Sequence, residues 1–496
     1  MYPKKESEKS TVENFKIPNE WKPKEENRWV IMSKIIPWEE FEEEYAKNFS
    51  ENKGAPAKPF RMALGSLIIK EILGISDRET VEQIKENPYL QYFIGLEVYE
   101  NKEPFDASML VHFRQRIGMD LVNQINKKMV KEAEEEILAE VEEKDEGEEE
   151  GKNQNRGKLL IDATCAPADI KYPTDIGILN EAREKTEKII DNLYKKTNKK
   201  GKKPRTYRIR ARKDYLKLSK KRRPSRKERR KGIKKQIQYI QRNLSHIEKL
   251  REDKEVTKLS KKDEKILSII QKAYEQQVEM YENKENKVEN RIVSLTQPHV
   301  RPIVRGKAGT PVEFGAKLSA SYVNGYVYLY RLSWDNYNES GDFKGQIEEF
   351  KRETGYYPQS VHADAIYRTR ENRAFCKERG IRLSGPPLGR RSTNISPEKK
   401  KEALQDERDR NAIEGKFGQA KRRFSLNRVM TKLPDTSETA IAITFLVINL
   451  SALLRQVLRF FVFFGRRGYF SVFLLAQLML CVDNSFNPYV LLALNS

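Results

Sequence analysis

Between residues 60 and 118, apolar side chains recur at helical spacing. The run 60–96 holds two such stretches. Ser76-Asp77-Arg78-Glu79 between them has the composition of a turn followed by a helix start. Residues 105–118 predict a further short helix, and residues 1–59 are polar with a few aromatics. The pattern predicts a compact helical unit, suited to a helix-turn-helix on DNA or equally to packing or dimerisation. A different period sets in at Lys158-Leu159-Leu160-Ile161-Asp162, a short apolar run that ends in an acid and predicts a strand. Residues 181–290 return to helical spacing. Within them Ile233, Ile237, Ile240, Leu244, Ile247 and Leu250 form one stripe, and Ile266, Ile269, Ala273 and Met280 a second. A polar stretch at 253–265 separates the stripes, so an antiparallel helical hairpin is expected.

Alternating aromatic and β-branched residues resume at 312–318 and 322–332, with Asn324-Gly325 as a hairpin turn. Helix at 345–352, strand at 360–364 (again ending in an acid), helix at 370–379, strand at 381–384 and a polar helix at 406–423 complete the order. Without its helical insertion this is an α/β unit with a mixed sheet. The apolar stretches 440–454 and 468–482 are each shorter than the ~18–20 residues that span a bilayer. Four arginines sit between them, so buried helices are expected and membrane association is not.

Charge changes this picture locally. The chain of 496 residues carries a formal net charge of +22. The segment 195–235 holds 23 Lys or Arg and two acids, so nearly all the excess lies there. A run of that density repels itself unless a polyanion is near, which points to the DNA backbone. Lys202, Lys203, Arg205, Arg208, Arg210, Arg212, Lys220, Lys221, Arg222, Arg223, Arg226, Arg229 and Arg230 are the expected contacts. Their binding should be independent of sequence and steeply salt-dependent. Residues 132–150 are the opposite, with 12 acids against one lysine, and read as a solvated helix tail or linker.

Cys165, Cys376 and Cys481 form no CxxC pair, and His112, His246, His299 and His362 have no zinc spacing. A disulfide framework is not expected, and a cytoplasmic setting fits. The first ten residues lack the apolar core of a secretory signal.

Two acids, Asp162 and Asp364, end predicted strands, and Glu414 lies on the helix after the last one. Strand ends are where an open α/β sheet exposes ligand groups. Three converging carboxylates call for a hard divalent cation, Mg²⁺ or Mn²⁺ rather than zinc. Arg410, Glu414 and Lys421 fall at i, i+4 and i+11, within about 40° of one another around a helix. That face presents a cation, a carboxylate and a second cation. The same pattern also fits a solvated, salt-bridged face. Asp169 and Asp175 read as loop residues, and His362 as a structural histidine. Trp334 to Tyr337 read as packing at the edge of the core.

The R-(3)-E-(6)-K spacing of Arg410, Glu414 and Lys421 resembles the helix that bears the last acid in DDE transposases of bacterial insertion sequences. Leu160-Ile-Asp162-Ala-Thr164 resembles that family's first-aspartate strand, and His362-Ala-Asp364-Ala-Ile-Tyr367 its second. The likeness covers roughly residues 60–455. It implies an RNase H-like mixed-sheet core at 157–436, with the basic helical insertion at about 181–295. A helical N-terminal domain at 1–125, an acidic linker at 126–156 and hydrophobic C-terminal helices at 437–496 would surround it. Asp162, Asp364 and Glu414 would bind two Mg²⁺ ions, with Mn²⁺ a possible substitute. Arg410 and Lys421, with Lys416 beside them, would touch DNA. The partners implied are double-stranded DNA, as terminal repeats and target, and a second copy of the chain; no small-molecule cofactor is implied. One departure is Glu407, which stands where the family often has a tyrosine three residues before the arginine. A decayed transposase that only binds DNA, a nuclease that cuts without joining and a membrane-associated basic protein are the rival readings.

Overall fold

The run Lys158–Pro167 forms the central strand of a six-stranded sheet. The computed structural model describes residues 15–16, 22–50, 54, 56–142, 155–196, 202–252, 259–304, 312–386 and 396–464. In chain order the elements are α1 (Arg28–Ile35), α2 (Trp38–Ala46), α3 (Phe60–Leu73), α4 (Asp77–Glu86), α5 (Pro88–Phe93), α6 (Met109–Glu142), β1 (Lys158–Pro167), α7 (Asp175–Lys196), α8 (Arg208–Ser219), α9 (Arg226–Arg251) and α10 (Lys261–Asn283). Then follow β2 (Arg301–Val304), β3 (Val312–Val323), β4 (Tyr326–Ser333), α11 (Phe343–Thr354), β5 (Ser360–Ala363), α12 (Arg370–Glu378), β6 (Arg382–Leu383), α13 (Pro397–Arg423) and α14 (Pro434–Phe464). The chain is therefore mixed α/β. It divides into two compact units: Met1–Ala166, Leu318–Leu332 and Asn338–Ser496 in the first, Pro167–Lys317 and Ser333–Tyr337 in the second.

In the first unit β1 pairs with β5 in parallel, Leu159 opposite Val361 and Ile161 opposite Ala363, and β5 pairs in parallel with β6. β3 and β4 form the expected hairpin. Asn324 and Gly325 both take positive φ, 49° and 96°, as a two-residue turn requires. Leu159, Ile161, Val361 and Ala363 point into a core closed by Phe343, Ile347 and Phe350 of α11 and Cys376 of α12. β1 runs five residues beyond the predicted strand because Ala163-Thr164-Cys165 continue it, paired on the β3 side. Asp162 thus lies inside the strand and not at its end, although its pairing with β5 stops at Ile161.

The N-terminal helices pack in the same unit. Gly74, at φ 66°, ends α3, and Ser76 caps α4 by accepting from the Glu79 N–H, matching the turn and helix start expected there. α6 is one long element that breaks at Gly118, φ 71°. It continues past residue 125, where a linker was expected to begin. Ile125, Asn126, Met129 and Val130 are buried, so the packed helix reaches further into the acidic stretch than its charge suggested. Residues 143–154 lie outside the described residues.

α14 is long and apolar enough to cross a membrane, but most of it is buried in the fold. Its polar residues show why it belongs there. Asn449 accepts from the Val327 N–H and donates to the Val327 carbonyl and to Asn126, all at 2.9 Å. The side chain thereby satisfies the backbone of β4, which would otherwise be an open strand edge. Glu71 of α3, also buried, accepts from the Ser425 N–H and hydroxyl and from the Thr444 hydroxyl. The second apolar stretch, 468–482, and Cys481 lie outside the described residues.

In the second unit the expected hairpin of α9 and α10 is only part of the arrangement. α7 packs along α9 as a third helix, and its Ile178, Leu179 and Ala182 share one core with Ile240, Ile270 and Ala273. Ile189, Ile190 and Leu193 share a second with Ile247, Leu259 and Leu267. Each of the two stripes read from sequence needed more apolar area than the other alone could cover. β2 pairs antiparallel with the start of β3.

Candidate active site

The parallel register of β1 and β5 sets the site. One step beyond the Ile161–Ala363 pair, where the register ends, come Asp162 within β1 and Asp364 just after β5. Residues at i and i+2 of a strand share a face, so the Asp162 carboxylate follows the direction of Leu160. The half-buried Asp162 accepts from the Ala163 N–H at 2.8 Å. Burial pushes its carboxyl up to about 6 against the pull of that N–H, and the charges of Glu414 and Asp364 push the same way. Arg410 opposes them. Asp364 closes β5 and accepts from the Ala365 N–H at 2.7 Å.

Glu414 comes from α13. Ile413, Phe417 and Ala420 are the buried stripe of this helix, which packs against β5. Arg410, Glu414 and Lys421 lie together along one edge of that stripe, as i, i+4 and i+11 dictate. Arg410 forks between two of the acids: Nη1 donates to Asp364 Oδ1 at 3.0 Å, and Nη2 lies 3.4 Å from Glu414 Oε1. Both carboxylates are about half exposed, while the arginine is three-quarters covered. Among the described residues, no three His, Cys, Asp or Glu side chains converge tightly enough, as they stand, to hold one ion. The donor chemistry nevertheless suits a hard divalent cation: all oxygen and mutually repelling, with one half-buried carboxylate and two more exposed ones.

Other residues fix this geometry. His362 is fully buried, hydrogen-bonded through Nε2 to Ser360 Oγ at 3.0 Å, with Nδ1 3.5 Å from Asp406. Burial holds its pKa below the ordinary value, as expected of a structural histidine. Arg382 grips Asp406 with two bonds of 2.9 and 2.8 Å, and Lys158 bonds Asp409 at 2.9 Å. These pairs clamp α13 onto β1 and β6. Lys416 sits about 200° around the helix from Glu414. It is turned inward over the Tyr322 ring, and burial, then Arg455, pulls its pKa down to about 8. Arg368 escaped the sequence reading. It donates to the Ala363 carbonyl at 2.8 Å and feels both Asp364 and Arg410. Its only sequence signal is its place four residues after the second aspartate.

In the second unit the predicted cations gather on α8 and the start of α9. α8 turns Ala211, Asp214 and Leu218 inward, leaving Arg210, Arg212, Lys213 and Lys217 exposed. The acids are spent internally. Asp191 binds Lys203 and Arg208, Asp214 binds Lys235 and Tyr239, and Glu228 binds Lys221 while completing the cap of α9. Arg230 bonds the Tyr281 carbonyl and stacks on its ring. Lys202, Arg205, Lys220, Arg222, Arg223, Arg226 and Arg229 are exposed. In the first unit, α4 exposes Arg78, Glu79 and Glu86, with Glu82 and Lys85 half-buried.

Residues 361–451 match a family model described as a transposase DDE domain, and residues 17–116 match one described as a transposase domain (DUF772). Two separate stretches of the chain are thus similar to transposase domains. The chain is also similar to an uncharacterized protein, ORF8 in the nfe locus of Rhizobium meliloti. The two are 31% identical over 146 residues, which make up 29% of this chain and 64% of that protein. No solved structure matches the chain. The first match opens within β5 and runs into α14, so it takes in Asp364, Arg410, Glu414 and Lys421 and leaves out Asp162. The second takes in α1 to α5 and the first residues of α6.

Proposed function

We propose that this chain is a DDE transposase that cuts DNA at the ends of an insertion sequence and joins the freed 3′-hydroxyls to target DNA, through Asp162, Asp364 and Glu414. The observation that carries the reading is the β1–β5 register, which sets two aspartates one step beyond its last pair, with Arg410 tying the second to Glu414. The three carboxylates would hold Mg²⁺, or Mn²⁺ in its place. Such ions, as a pair, activate a water and stabilise the leaving oxygen of a phosphodiester. Arg410 and Lys421 line the same helix edge and would hold backbone phosphates. Arg368, anchored on the Ala363 carbonyl, adds a further cation beside Asp364. The core is read as RNase H-like: β1 is central, with the β3–β4 hairpin on one side and β5 and β6 parallel to it on the other.

The α8–α9 face would bind DNA backbone, and two chains would act together because two ends must be paired. The test is strand cleavage, in Mg²⁺, of a duplex carrying the repeats that flank the gene. Asp162→Asn, Asp364→Asn and Glu414→Gln should each bring cleavage close to zero while leaving DNA binding intact. Cleavage retained in two of the three would overturn the assignment.

A further inference from the structure

Arg410 bridges Asp364 and Glu414, two of the three carboxylates that would hold a divalent ion. It holds Oδ1 of the aspartate at 3.0 Å and lies 3.4 Å from Oε1 of the glutamate. We propose that Arg410 is an exchangeable counter-ion: it neutralises Asp364 and Glu414 in the DNA-free chain and leaves them for a DNA phosphate when a divalent cation arrives. This rests on the carboxylates being the metal ligands.

The physical case is one of charge. Three carboxylates within electrostatic reach need positive charge in every state of the chain. A forked guanidinium satisfies two of them at once. An arginine cannot give up its proton to make way for a metal, so it must move as a cation and needs an anion to move to. A DNA phosphate is such an anion, and the helix edge that carries Arg410 also carries Lys421. Side-chain rotation suffices, because Asp364 and Glu414 are about half exposed and it is Arg410 that ties them together on that edge. Metal and DNA would then help each other bind, each strengthening the other by the same factor. The chain would hold metal weakly until DNA is present, which limits cutting to bound DNA.

The experiment is calorimetric titration of the full, DNA-free chain with Mn²⁺. Arg410→Gln should bind Mn²⁺ at least about fivefold more tightly than the parent, the lower end of usual coupling strengths. Arg410→Lys keeps the charge and should stay near the parent value. Equal or weaker Mn²⁺ binding by Arg410→Gln would overturn the exchange, as would tight binding by both variants. Asp364→Asn separates this from failure of the ligand assignment. If it takes up Mn²⁺ as well as the parent does, the carboxylates are not the ligands and both readings fall. If it loses Mn²⁺ while Arg410→Gln is unchanged, only the exchange falls.

Discussion

Arg114 and Asp77 show what a single buried charge does here. Arg114 is almost wholly buried on α6 and donates two bonds to Asp77 at the start of α4, with Lys70 3.5 Å away. Burial alone would raise the Asp77 carboxyl, but Arg114 and then Lys70 outweigh it and hold it below the usual carboxylate range. The contribution to stability is therefore fully present above the unfolded pKa, about 3.9. It is lost as pH falls through the lower folded value. Asp77→Asn should flatten that acid-side loss, read as the change in urea midpoint between pH 6 and pH 3. It should also destabilise the chain at neutral pH by about 3 kcal/mol or more, because a buried guanidinium loses its partner. An unchanged midpoint at pH 6 would mean that water reaches Arg114.

Elements behave according to the few residues that define their ends and faces. The β3–β4 turn needs Gly325 at φ 96°. Gly325→Val should cost about 1–2 kcal/mol in equilibrium unfolding, from the backbone alone. The cationic face of α8 obeys a different rule. Its one acid, Asp214, is turned inward to Lys235 and Tyr239, so Arg212, Lys213 and Lys217 face outward without local compensation. Replacing all three by glutamine should lower the slope of log K against log salt, on a random-sequence duplex, by up to about 0.9 for each phosphate that is no longer neutralised. Helix content should hold, since like charges one turn apart destabilise a helix. A slope identical to the parent's would remove α8 from the DNA-binding surface.

At the scale of the whole molecule, the first unit is tied together by buried polar groups joining distant parts of the chain. Asn449 links α14 to β4 and α6, and Glu71 links α3 to Ser425 and α14. Asn449→Leu strands the Val327 N–H in an apolar setting and leaves its carbonyl only the 3.4 Å bond from Asn126. A loss of about 1–3 kcal/mol is expected for each buried group left without a partner. A melt that shows no loss would mean that β4 finds another partner. Glu71 lies in the stretch matched by one family model, and Ser425 and Thr444 lie in the stretch matched by the other.

The local pattern by itself determined the helices of residues 60–118, the Asn324-Gly325 hairpin, the strand at Ser360 and the common edge of Arg410, Glu414 and Lys421. Each of these depends on neighbours within a turn or a pleat, so periodicity and cap or turn chemistry suffice. It also marked Asp162 and Asp364, through short apolar runs that end in an acid. Only the tertiary structure decided that these two stand one step beyond the same strand pairing, because strand register depends on partners about 200 residues apart in sequence. It alone set what α7 and α14 pack against, since an apolar stripe states that it must be covered and not by what. It alone set the roles of Arg368, Arg410 and Lys416. Their charges are plain in the sequence, but what each one faces is settled by the packing of other elements.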